Sequence, residues 1–76
     1  MSATIRVHLP NGEIRQTVVT PQSTLQEILR KINFAWTDKY VCMNEGNTPM
    51  PTLTWNLTQY NHWYVEAGCV PPIRIV

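Results

Sequence analysis

Apolar and polar positions alternate strictly over residues 4–9, with Ile5, Val7 and Leu9 on one face and Arg6 and His8 on the other. That period of two is the signature of a half-buried strand. Pro10-Asn11-Gly12 follows, and the chain is expected to reverse there, because Pro fixes φ while Asn and Gly accept the positive φ of a tight hairpin. The returning segment, residues 14–20, is rich in β-branched side chains and stops at Pro21. Its facing is ambiguous. Ile14, Gln16, Val18 and Arg15, Thr17, Val19 are both imperfect alternations, and a bulge beside the turn would reconcile them.

The pattern then changes period. Leu25, Ile28, Leu29 and Ile32 fall at i, i+3, i+4 and i+7, one apolar stripe on an amphipathic helix. Ser23 or Thr24 caps its start, and Gln26 or Glu27 three residues later closes a capping box. Arg30 and Lys31 stand in the last turns, where cations complement the helix dipole and are equally placed for a binding role. Beyond the helix, residues 39–43 predict a short third strand, with Tyr40 and Cys42 on one side and Val41 and Met43 on the other. A turn cluster at Asn44-Glu45-Gly46-Asn47 is followed by Pro49 and Pro51, which exclude a central strand directly after it. Residues 52–55 predict a brief fourth strand. Residues 63–70 predict the last, with Gly68 at a bulge, ended by Pro71-Pro72. Residues 73–76 read as a short edge strand or the start of a linker. The expected core is Ile5, Val7, Leu9, Leu25, Ile28, Leu29, Ile32, Val41, Leu53 and Val65.

Hairpin, single helix, then shorter strands describe an α+β domain, since one helix covers only one face of a sheet. The 76 residues make one domain over residues 1–76. The order and size predict a ubiquitin-like β-grasp: a four- or five-stranded mixed sheet packed on one helix, with the last long strand parallel to the first.

Composition narrows the function classes. Six Lys and Arg against five Asp and Glu leave a formal charge of +1, too little for the general phosphate attraction that drives nucleic-acid binding. No stretch approaches the ~20 apolar residues of a membrane span, and the start of the chain does not read as a signal peptide. Cys42 and Cys69 read as reduced, and neither stands at zinc-finger spacing from His8 or His62. No P-loop, paired acidic motif or Gly-rich nucleotide fingerprint occurs. His8 alternates outward on the first strand and His62 reads as a loop residue, so neither has a partner constellation. The expectation is a cytoplasmic, non-enzymatic domain with no catalytic residue, metal or cofactor. Sulfur carriers on this scaffold end in Gly-Gly, whereas this chain ends Ile73-Arg74-Ile75-Val76, which disfavours carrier and conjugation chemistry.

Recognition of a protein remains. The second strand, at the outer edge of the hairpin, should present unpaired main-chain groups to a partner strand. Arg6 and Arg15 are expected to flank that edge, and Arg30 and Lys31 to approach it from the helix. Trp36, Trp55, Trp63, Tyr60 and Tyr64 are many large aromatics for so small a core, so one or two are candidate contact anchors.

Thr4-Ile5-Arg6-Val7, Leu9-Pro10-Asn11, Thr17-Val18-Val19, then Leu25, Leu29 and Lys31 at helix spacing, with Leu53-Thr54-Trp55-Asn56 later in the chain, resemble the Ras-binding domain of Raf kinases. The resemblance implies a β-grasp fold that binds a GTP-loaded small GTPase of the Ras type by strand pairing along the second strand. It implies Arg6 and Lys31 as basic contacts and Arg15, Gln16, Thr17 and Val18 as the binding edge. Pro10-Asn11-Gly12, Val19-Thr20-Pro21 and Leu25-Gln26 are also similar to the N-terminal ubiquitin-like domain of UBX-containing tethering proteins. That second resemblance implies an unconjugated adaptor or scaffold that binds another protein, and the open edge admits self-association as the alternative.

Overall fold

The computed structural model describes residues 1–76 as a four-stranded mixed sheet with one helix against one face. The strands are β1 (Ala3–His8), β2 (Ile14–Val19), β3 (Cys42–Met43) and β4 (Ile73–Ile75), and the helix is α1 (Leu25–Lys31). The order across the sheet is β2-β1-β4-β3. β1 is antiparallel to β2 and parallel to β4, and β3 is antiparallel to β4. The architecture is the expected α+β, ubiquitin-like β-grasp. No helix is long and apolar enough to cross a membrane.

The hairpin resolves the facing of β2. Leu9 N–H donates to the Glu13 carbonyl and Gly12 N–H returns to the Leu9 carbonyl, a three-residue loop with Gly12 at φ 88°. The extra residue held by that positive φ is the bulge that shifts the returning strand. In consequence Arg15, Thr17 and Val19 face the helix, while Ile14, Gln16 and Val18 face solvent. A left-handed residue after a tight turn favours Gly because it has no Cβ to clash.

Every donor in the first turn of α1 has an acceptor. Thr24 is the N-cap: its side chain accepts from Glu27 N–H, and Glu27 closes the capping box. Leu25 N–H donates to the Trp55 carbonyl and Gln26 N–H to the Leu53 carbonyl. These are groups a helix start leaves without intrahelical partners. Residues 52–55 are therefore not a strand. The Leu53 and Trp55 carbonyls are turned toward the helix start, and Pro49 and Pro51 deprive the approach of ladder donors. The helix ends at Asn33, which adopts φ 58°. Asn33 N–H then reaches the Arg30 carbonyl and Phe34 N–H the Leu29 carbonyl, a Schellman closure.

The C-terminal third differs most from expectation. Residues 63–70 do not form a continuous strand. Ala67 and Gly68 both have positive φ (54° and 79°), and Glu66 and Cys69 exchange main-chain hydrogen bonds across them. The segment folds back on itself in a two-residue hairpin turn, so Gly68 belongs to a turn and not to a strand bulge. Parallel pairing to β1 begins with Thr4 and Cys69, is interrupted at Pro71-Pro72, which lack donors, and resumes as Val7 with Ile73. Residues 73–75 are thus an interior strand between β1 and β3, neither an edge nor a linker.

Ile5, Val7, Leu9, Leu25, Ile28, Leu29 and Ile32 are buried as expected. Val41 and Val65 are exposed and Leu53 is only half-buried. The third strand is confined to Cys42–Met43, and Cys42 faces inward, so the face carrying Val41 looks out. Ala3, Val19, Cys42, Met50, Leu57, Val70, Ile73 and Ile75 complete the interior.

Candidate functional site

β2 is an edge strand. Leu9 and Glu13 form a hydrogen-bonded pair at the turn. In an antiparallel ladder such pairs alternate with non-bonded ones, so the main-chain groups of Arg15, Thr17 and Val19 point to β1 and those of Ile14, Gln16 and Val18 point away. Thr4, opposite Val18, confirms the alternation by spending its own N–H and carbonyl on Gly68 and Val70. The result is a row of outward donors and acceptors at alternate residues. Their side chains lie on the face of the sheet that the helix does not cover.

The six residues singled out along this edge divide into three groups. Gln16 and Val18 stand on the open face with Arg6 beside them: Arg6 is opposite Gln16 in register and exposed. Arg6 lies one strand in from the edge itself. Arg15 and Thr17 are on the opposite, helix-facing side and half-buried. Lys31 reaches from α1, and its Nζ donates to the Val18 carbonyl at 3.0 Å, so this cation already covers one acceptor of the edge. Arg30 is exposed in the same last turn.

Arg15 is occupied internally. Its Nη1 donates to the carbonyls of Ile32 (2.8 Å) and Asn33 (3.1 Å), capping the end of α1, and its Nε meets Glu13 Oε2 at 2.7 Å. The hydrogen bond and charge of Arg15 hold the Glu13 carboxyl below its ordinary range. This arrangement ties the hairpin to the helix end and leaves Arg6, which has no internal partner, and Lys31, whose one hydrogen bond is to the edge carbonyl of Val18, as the cations beside the edge.

No protein-family model and no curated protein matches this chain.

The aromatic residues are mostly structural. Phe34, Trp36 and Tyr40 pack together at ring distances of 5.0 and 6.1 Å against the core. The Tyr60 hydroxyl donates to the Thr52 carbonyl and accepts from Thr52 N–H, both at 2.6 Å. Trp55, leaning on Tyr60, and Tyr64 are the large aromatics left exposed. Neither adjoins β2. His62 lies in a loop as expected but not on a contact surface: it is buried, and its Nε2 donates to the Pro71 carbonyl at 2.6 Å, which anchors the chain just before β4. A single polar residue in a loop carries no periodicity, so its burial is not legible in the sequence.

Both cysteines are free thiols. Cys42 is fully buried, and burial pushes its thiol up to about 12, whereas Cys69 is half-buried. In native protein a thiol-reactive dye should modify Cys69 quickly and Cys42 only on unfolding, because the thiolate is the reacting species. Above the ordinary thiol value of 9.0, the unfolded chain gains a charge that folded Cys42 refuses. Stability should therefore decline as pH rises through the window between 9.0 and about 12. Two equally fast thiols would contradict the inward facing of β3.

Proposed function

We propose that this domain is a non-catalytic protein-interaction module that receives a partner strand along the β2 edge, and that the partner is a small GTPase of the Ras type met in the cytoplasm. The observation that carries the reading is the row of outward main-chain groups at Ile14, Gln16 and Val18, with Arg6 on the neighbouring strand and Lys31 reaching the Val18 carbonyl from the helix side. Strand addition gives affinity through main-chain hydrogen bonds. Flanking cations give steering and partner choice toward an acidic surface. The resemblance to Raf-type Ras-binding domains supplies the GTPase as the partner class, and the same edge also suits an unconjugated ubiquitin-like adaptor.

The test is capture by the immobilised domain of purified small GTPases loaded with GTP or GDP, with ubiquitin and an unfoldase ATPase as parallel baits. Retention of a Ras-type GTPase in the GTP state alone is expected. Retention of ubiquitin or the ATPase, and of no GTPase, would replace the GTPase reading with the adaptor one.

A further inference from the structure

The outward face of β2 is complementary to itself. Its outward main-chain groups belong to Ile14, Gln16 and Val18, of which only the Val18 carbonyl has a partner, the Lys31 ammonium, and Gln16 is central among them. We infer that a second copy of this chain pairs antiparallel along this edge about a two-fold axis at Gln16, closing the binding edge when no partner is present. The inference rests on the β2 edge being the docking site.

A two-fold at Gln16 places the two Gln16 residues opposite each other as a hydrogen-bonded pair. Each Ile14 then lies opposite the other copy's Val18, with donors and acceptors matched throughout. Ile14 and Val18 are each 54% exposed, and this register sets them side by side as β-branched cross-strand pairs on the open face. The two sheets become one, with both helices on the same side.

Charge selects the same register. Lys31 hangs over Val18 on the helix side. The residue preceding Ile14 is Glu13, whose carboxylate meets the helix-facing Arg15 at 2.7 Å and so lies on that same side. In the paired state Glu13 of the second copy stands opposite Val19, next to Lys31. The Lys31 ammonium exchanges the Val18 carbonyl for that carboxylate, at both ends of the contact by symmetry. A parallel copy, or one slipped by two residues, loses this pairing. A single edge contact is small, so the dimer belongs to the weak, transient class and yields to a partner that adds contacts of its own.

The test is sedimentation of the whole domain from about 10 μM to about 1 mM, the range in which weak contacts populate. Reversible dimerisation is expected. K31E and E13K should each weaken it by about tenfold, by turning two attractions into repulsions. The double variant E13K/K31E should regain part of it, since the intermolecular ion pair is inverted while the pair of Glu13 with Arg15 is lost. Far-UV circular dichroism confirms that each variant is folded. A monomer throughout the range, or a dimer that the single variants leave unchanged or the double variant fails even partly to restore, overturns the inference. GTPase capture is read separately, at domain concentrations below dimerisation. A domain that dimerises but captures no GTPase defeats the functional reading alone, and one that captures GTPase but never dimerises defeats this inference alone.

Discussion

Ile75→Ala will destabilise the domain by about 2–5 kcal/mol, while Val65→Ala will change its stability by no more than about 0.5 kcal/mol. Ile75 is 1% exposed on an interior strand and Val65 is 43% exposed beside a turn. Removing buried methyl groups costs their transfer free energy and leaves a cavity that the neighbours fill only partly. A domain of this length is stabilised by about 4–11 kcal/mol in total, so the first change takes a large share of what exists. Urea denaturation followed by tryptophan fluorescence measures both, and a lower midpoint with an unchanged slope is the expected form. Equal losses for the two variants would mean that Val65 is packed as deeply as Ile75, contrary to the turn closed by Glu66 and Cys69.

Arg6→Glu is expected to weaken capture of a GTP-loaded GTPase by about tenfold or more at low salt, with most of the loss in the association rate. Lys31→Glu should do the same, and Lys39→Glu, in the loop preceding β3, should have little effect. All three make the same change in net charge, so the comparison isolates position. The two exposed cations lie beside β2, Arg6 on the neighbouring strand and Lys31 on the helix side, and Arg6 forms no ion pair within the chain. The differences should shrink as ionic strength rises, because the Debye length falls to about 3 Å at 1 M. Arg15→Glu is a poor probe of the same idea: it strips the Ile32 and Asn33 carbonyls of their donor and would report on folding. Capture that ignores Arg6 and Lys31 but collapses in Trp55→Ala or Tyr64→Ala would move the functional surface to the exposed aromatics.

Periodicity in the sequence determined the first half of this protein. The alternation from Thr4 to Leu9, the Asn-Gly reversal and the stripe from Leu25 to Ile32 each rest on contacts only a few residues apart, and all recur in the structure. The cap at Thr24 and the hairpin pairing of β2 follow from the same local rules, whereas β2 is an edge because β4 takes the other side of β1.

Tertiary structure decided the rest. Val41, Leu53 and Val65 are apolar, but whether they are buried depends on which neighbours arrive. Cys42 turned inward because β3 pairs with β4 at Ile75. Residues 52–55 became helix-capping carbonyls because α1 had donors to satisfy. Arg15 looked like a binding cation until the helix end, 17 residues away, claimed it. A short strand such as Ile73–Ile75 has no period long enough to read. Its place between β1 and β3 is fixed only when the first strand, nearly the whole chain earlier, offers its free edge.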